Sequence, residues 1–366
     1  MIYLDHGATS FPKPASVAAA VNRALLTCAN PGRGGHKPAM DAARTVFACR
    51  QRAAELFDCE LEQVAFTSSC THGLNIALRA LVRPGDSVVI SGFEHNAVTR
   101  TLCGLGAKIV VAGRRLFDPE DTVLAFEKAI KDGVKAAVFT HVSNVFGYIL
   151  PVEELSALCR KYGVPFVIDA AQSAGSLPVQ LKKTGADFIA MPGHKGLLGP
   201  QGTGLLLCKE TPEPLIYGGT GSHSASAQMP SWMPDRLEAG TVNVPGIAGL
   251  ERGMALAGQG MQTRHVAAVR EAERCAAELR KLGCRVFSGP HQSGVVSFVP
   301  PGDCEDFAQK LAGRGIAVRA GLHCAPLAHE SAGTLDTGTV RVSYGHDAAP
   351  RQTSALLAHV KTFLEQ

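Results

Sequence analysis

The chain has no apolar run long enough to cross a bilayer, which sets aside a helical membrane protein. It has no Lys/Arg-rich stretch either. A net charge of +4, with the signs interspersed, gives no reason to expect nucleic acid as a partner. No strand-like segment leads into G-x-G-x-x-G, which removes the usual nicotinamide fingerprint. The eleven cysteines include no C-x-x-C pair, are odd in number and are scattered. Neither a disulfide framework nor a zinc site is therefore expected, and the metal expectation is none. Free thiols in a reducing cytoplasm fit this usage better. The first residues, MIYLDHGATSFPKP, show no basic segment followed by an apolar core, so no secretory leader is expected. Internal repeats and low-complexity segments are also missing.

What is present reads as an ordinary globular protein. The chain has 366 residues, 46% hydrophobic and 19% charged. That length exceeds one small core and predicts a large and a smaller domain. Strand-like runs at 64–67, 86–91, 108–112, 136–140, 166–169 and 188–191 alternate with helical periodicity at 38–57, 74–81, 122–130 and 152–162. This alternation predicts an α/β domain with a mostly parallel sheet and right-handed crossovers. A run at 205–207 is expected as a final edge strand. Residues 246–281 read as one helix, with the smaller domain beginning inside it. The expected division is an arm at 1–14, a large domain at 15–250 and a small domain at 251–366.

The stretch from 166 to 204 organises the chain. An apolar run ends in Asp169, with Gln172 just after it, and a second run ends at Gly193-His194-Lys195. Two buried strands would deliver a carboxylate and a lysine to one crevice at their carboxyl ends, where open α/β sheets bind ligands. Such a pair suits a pyridoxal phosphate enzyme, whose lysine forms a Schiff base and whose acid pairs with the ring nitrogen. An ordinary salt bridge or two exposed charges is the competing reading. The segment Ser68-Ser69-Cys70-Thr71-His72-Gly73 between a strand and a helix can cradle a phosphate, although Ser and Thr are also common helix caps. His95 lies beyond a strand end, where an imidazole could stack on a flat ring or belong to plain surface. Asn144 is a further polar residue at a strand carboxyl end.

Taken in order, YLDHGAT, TSSCTHGLN, FEHNA, THVSNVFG, VIDAAQSAG, PGHKGLLGPQGTG, EAGTVN, RAGLHCAPL and GTVRVS make the chain similar to one family. It resembles the cysteine desulfurase branch of class V aminotransferases, pyridoxal phosphate enzymes of transferase fold type I. The short RAGLHCAP loop resembles the second group of desulfurases, near selenocysteine lyases. The resemblance implies a large domain whose mixed, mostly parallel sheet is sandwiched by helices, and a smaller α+β C-terminal domain.

It also implies roles. Lys195 would hold pyridoxal 5'-phosphate, Asp169 would pair with its ring nitrogen, Gln172 would bond its phenolic oxygen and His95 would stack on it. Cys70, Thr71 and His194 would bind the phosphate. Pro192 stands where the family often has a serine, so one phosphate donor is replaced. Thr220 or Ser222 would complete the site of a partner subunit in a homodimer. Asn144 and Arg341 would hold the substrate carboxylate, helped by Arg33 or His36. Cys324 would be the nucleophile, with Arg319 and His323 beside it at the substrate as orienting or pKa-lowering groups. The implied reaction converts L-cysteine to L-alanine and leaves a persulfide on Cys324 for an acceptor protein. L-selenocysteine cleavage, transamination and elimination are the alternatives on the same scaffold.

Overall fold

The computed structural model describes residues 1–32 and 34–365. Short β1 (Ile2–Tyr3) precedes α1 (Ala15–Thr27) and α2 (Lys37–Phe57). The alternating part follows: β2 (Val64–Thr67), α3 (Cys70–Leu81), β3 (Ser87–Ser91), α4 (Asn96–Gly104), β4 (Lys108–Ala112), α5 (Pro119–Lys131), β5 (Ala136–Thr140), α6 (Val152–Tyr162), β6 (Phe166–Asp169), α7 (Leu181–Thr184), β7 (Phe188–Pro192) and β8 (Gly204–Cys208). The remainder runs α8 (Val244–Gly258), α9 (Met261–Lys281), β9 (Arg285–Phe287), β10 (Val295–Val299), α10 (Cys304–Gly313), β11 (Ile316–Ala317), β12 (Arg319–Gly321), α11 (Pro326–Ala332), β13 (Thr339–Ser343) and α12 (Pro350–Leu364).

Local signals set many of these boundaries. Asp118 caps α5 and Pro119 opens it, with Lys128 and Lys131 in its last turn. Glu153 and Glu154 begin α6, and Gly163 ends it in the left-handed conformation. Strands β5, β6, β7 and β8 are buried at every position, as strands covered on both faces must be.

Seven strands form the large sheet in the order β2-β8-β7-β6-β5-β3-β4. Strand β8 runs antiparallel to both of its neighbours, and the other pairings are parallel. The run at 205–207 is therefore an interior strand, not the expected edge. Its Leu-Leu-Leu side chains are fully buried between the two faces. One apolar cluster, with Phe126, Phe139 and Phe166, fills one face, and another, with Leu74, Ile76 and Ile90, fills the other.

A second, antiparallel sheet of order β12-β13-β10-β9 carries the smaller core around Phe298, Leu311 and Leu356. The helix expected over 246–281 is two helices, because Gly260 takes a left-handed conformation at the start of α9. Helix α8 packs on α1 and α2, whereas α9 packs on β9, β10 and α12. Packing partners thus change at Gly260, between the two helices. The arm joins both units. Its β1 pairs with β11, Asp5 bridges to Ser343, and Ser10 N–H donates to the His194 carbonyl at 3.0 Å.

Candidate active site

Parallel strands place their carboxyl ends along one rim. Register puts Asp169 of β6 beside Thr140 of β5 and Ala190 of β7. The buried Asp169 Oδ1 accepts from Ala171 N–H at 2.9 Å and from the Cys70 thiol at 3.4 Å. Beyond β7 the chain turns tightly. Gly199 N–H donates to the Gly193 carbonyl at 2.8 Å, and Leu198 N–H donates to the Lys195 carbonyl at 2.9 Å. Helix α8 presses against this turn at Gly253, where a Cβ would lie 2.4 Å from the Leu197 oxygen. Lys195 is thereby held in the crevice, half-buried. Burial pushes its pKa down, the Asp169 charge opposes that, and Arg341 reinforces it.

His95 caps α4, and its Nδ1 accepts from Ala97 N–H at 3.0 Å. That bond leaves the ring hydrogen on Nε2. Burial lowers the His95 pKa, with Asp169 raising it and Lys195 lowering it, so the three groups share one field. His194 is gripped by the arm. Its carbonyl accepts from Thr9 Oγ1 at 3.0 Å and Lys13 Nζ at 2.7 Å, while its Nδ1 lies 3.1 Å from Thr9 Oγ1. Burial takes the His194 imidazole down to about 4.

The 321–325 loop faces this crevice from the small domain. Asn96 N–H donates to the Cys324 carbonyl at 2.7 Å, and the Asn144 Nδ2 amide donates to the His323 carbonyl at 2.7 Å. His323 and Cys324 both adopt left-handed φ, at 49° and 57°. Beneath them lies an apolar cluster of Phe93, Val145, Phe146, Tyr148, Ala325 and Ala328. All eleven cysteines are free, and only Cys103 and Cys324 are exposed.

Lys195, Asp169, His95, Cys70, Asn144, His323, Cys324 and Arg341 are thus assembled, and Gln172 lines a small cavity with Lys195. Several also make contacts within the protein that the sequence did not announce. Cys70 turns its thiol to Asp169. Asn144 donates one of its two amide hydrogens to the Cys324 loop, and its Oδ1 is buried without a partner among the described residues. Arg341 is ion-paired with Asp5 at 2.5 Å and donates to the Asn144 carbonyl at 3.1 Å, because a buried cation requires a partner. Its Nε is the unpartnered donor. Arg319 also pairs with Asp5, at 3.3 Å.

His323 is no cation beside the thiol. Its Nε2 turns inward to the Thr339 carbonyl at 3.1 Å, and burial takes its pKa to about 2. Gln172 donates to the Gly7 carbonyl at 3.0 Å. Thr71 is exposed in the first turn of α3. Thr220 lines a separate cavity of about 820 Å³ with Asn30, Gly32 and Phe47, and Ser222 donates to Asp235 beside it. His36 caps α2 on the exposed surface, and Arg33 lies outside the described residues.

Two functional residues escaped sequence reasoning. Asp5 anchors both Arg319 and Arg341, and its signal was an acid inside the short apolar start IYLD. Glu94 is fully buried behind His95, accepts from Thr140 N–H at 2.8 Å and is pushed by burial up to about 8.

The family model for aminotransferase class V matches residues 2–356. A probable cysteine desulfurase of Pyrococcus abyssi is 34% identical, over 94% of this chain and 89% of its own length. Another, from Methanothermobacter thermautotrophicus, is 30% identical over 93% and 89%. Among solved structures, a cysteine desulfurase from Thermococcus onnurineus superposes with a TM-score of 0.92 at 31% identity, covering 100% of this chain and 94% of that one. A cysteine desulfurase from Escherichia coli gives 0.88 at 26% identity, with coverage of 100% and 94%.

Proposed function

The chain belongs to the class V aminotransferase family, within its cysteine desulfurase branch, and from that premise we propose that it is a pyridoxal phosphate-dependent enzyme converting L-cysteine to L-alanine, with the sulfur received by Cys324. The observation that carries this reading is the docking of the exposed Cys324 loop onto Asn96, directly beside His95, Asp169 and Lys195.

The residues present suit the cofactor. A half-buried lysine with a depressed pKa gives up its proton more readily and so suits attack on an aldehyde. Asp169 offers a carboxylate for the ring nitrogen, His95 a ring face, and Gln172 an amide. The N–H groups of Cys70 and Thr71, in the first turn of α3, have no intrahelical acceptor and favour a phosphate. When bound, pyridoxal phosphate supplies an electron sink for charge developing at the substrate α-carbon.

The chain supplies the rest. The unpartnered Arg341 Nε is positioned to hold the substrate carboxylate. The Lys195 amine, whose pKa burial lowers, moves the α-proton. Cys324 as thiolate forms an S–S bond with the substrate sulfur while the carbon–sulfur bond breaks, and its carbon keeps the electron pair and gains a proton. Because Cys324 is exposed, the resulting persulfide is open to an acceptor protein.

A homodimer belongs to the same proposal. Thr220 and Ser222 stand on a glycine-rich face with exposed Phe47, Ile216 and Tyr217, away from the chain's own Lys195, where they are available to a second copy. No helix among the described residues is long and apolar enough to cross a membrane, and we propose a cytoplasmic location.

The test is alanine formation from L-cysteine and from L-selenocysteine with a thiol reductant. Wild type should turn over cysteine, and Cys324→Ala should lose that while retaining the yellow cofactor. Undiminished cysteine turnover in Cys324→Ala would overturn the assigned nucleophile. Turnover of selenocysteine alone would move the reading to a lyase.

A further inference from the structure

The two ends of the chain bring a second set of reactive side chains together. His6 of the arm meets His346 and Asp347, which follow β13. One ligating atom from each residue lies within 4.8 Å of the other two. His6 Nε2 stands 3.1 Å from Asp347 Oδ1, and the rings of His6 and His346 meet edge-on with centroids 5.8 Å apart. His6 is only 7% exposed.

Both ring nitrogens of His6, the Nδ1 of His346 and the Oδ1 of Asp347 are buried with no hydrogen-bond partner among the described residues. Buried polar atoms are nearly always satisfied, so four unsatisfied atoms on three adjoining residues call for a shared partner. A plain imidazole–carboxylate pair would satisfy His6 Nε2 and Asp347 Oδ1 and still leave the Nδ1 atoms of His6 and His346 without a partner among the described residues. A cation at the centre serves all three.

The surroundings are built for it. A Cβ at position 345 would lie 2.2 Å from His6 Nδ1, so Gly345 makes room for the ring. Asp347 Oδ2 accepts from Gln352 Nε2 at 3.2 Å, which fixes the carboxylate from behind. The Asp347 side chain is 36% exposed and provides an entry path. Two cations flank His346, but both are committed to main-chain carbonyls: Lys13 to His194 at 2.7 Å and Arg264 to Leu256 at 3.0 Å. Ligand atoms ~2.1 Å from a tetrahedral ion lie about 3.4 Å apart, a separation the His6–Asp347 pair already approaches. Two imidazoles with one carboxylate suit a borderline transition ion and not calcium or magnesium, which take oxygen ligands.

We propose that His6, His346 and Asp347 form a site for one divalent transition-metal ion of the zinc class, which ties the arm to the small domain. His6 and His346 also line the small cavity shared with Gln172 and Lys195. His6 adjoins Asp5, so the ion would also fix the acid that pairs with Arg341. Cysteine spacing gave no hint of such a site, because its ligands come from opposite ends of the chain.

The test uses the full-length, cofactor-loaded protein, stripped with a chelator, freed of it and titrated with Co²⁺ alone. The expected result is one Co²⁺ per chain, with weak ligand-field absorption, no thiolate charge-transfer band, and displacement by Zn²⁺. His346→Ala and Asp347→Asn should each weaken binding at least tenfold while leaving the metal-free melting temperature near wild type. His359→Ala, an imidazole of α12 outside the cluster, should bind as wild type does. Absence of saturable uptake, a thiolate band, or wild-type affinity in either cluster variant would overturn the site.

Discussion

At the scale of single residues, the proposed nucleophile Cys324 is presented by strain that is held from outside. Two consecutive non-glycine residues with left-handed φ cost roughly 1–3 kcal/mol each, and they persist only where surroundings over-determine them. Here the supports are Asn96 N–H and the Asn144 amide. Asn144→Ala should let the loop relax and lower alanine formation by about 10²-fold, since ångström-scale misplacement has that effect. Cofactor absorbance should stay unchanged, and full activity in the variant would show that the amide does not position Cys324. Asp169→Asn removes the charge under the reacting ring, so kcat should fall by roughly 10²–10³. Steady-state alanine release measures it, and a loss smaller than tenfold would count against Asp169 as the ring's acid. Glu94 gives a prediction in pH. Burial raises its pKa from 4.5 to about 8, so the folded state favours the neutral acid. Its contribution is complete below pH 4.5 and is lost as pH rises toward 8. Glu94→Gln stays neutral throughout, and its urea midpoint should decline less than that of wild type between pH 5 and 8. Equal slopes would refute the assignment.

At the scale of elements, legibility followed locality. Strands β6 and β7 were readable because continuous apolar runs end in Asp169 and just before Lys195, and burial at every position matches that pattern. Helix α3 starts at Cys70 and not near Leu74, because the polar run Cys70-Thr71-His72 hides a first turn capped by the Ser69 hydroxyl. The break at Gly260 was masked by Ala and Leu periodicity that runs across it. The partners of Arg341 and Asn144 were invisible for another reason. Asp5 and His323 are distant in sequence, and no periodicity encodes which buried donor meets which acceptor. Helix α8 shows what an element adds to the site. At Gly253 a methyl group would strike the backbone of the Lys195 turn, at Leu197 O (2.4 Å) and Gly199 N (2.8 Å). Backbone cannot step aside as a flexible side chain can, so Gly253→Ala should destabilise by about 1–3 kcal/mol. It should also weaken cofactor retention by shifting Lys195. A variant with an unchanged melting temperature and full cofactor content would mean that α8 does not brace the turn.

At the scale of the whole molecule, the arm is the mechanical link between the two cores. Strand β1 pairs with β11 of the small unit, Asp5 holds Arg341 of β13, and Thr9 and Lys13 grip His194 beside the lysine. Joining the cores this way buries imidazoles that stay neutral. Burial takes His141 and His329 to about 4 and His323 to about 2, all from 6.5. A depressed histidine contributes stability that is present above pH 6.5 and is lost as pH falls through its folded value. For the half-buried His141 this amounts to a few kcal/mol at most, at about 1.4 kcal/mol for each pH unit between 6.5 and its folded value of about 4. Glu94 acts in the opposite direction, weakening the fold as pH rises from 4.5 toward 8. The two trends cross, so the denaturant midpoint of the intact protein should be greatest near pH 6–7. It should fall more steeply on the acid side, where His141, His194, His323 and His329 must charge, against one carboxyl on the other. Urea unfolding at half-unit steps from pH 4 to 8 measures this profile. A midpoint that keeps rising down to pH 4 would mean that these histidines are not held neutral by the packing of arm, large core and small core together.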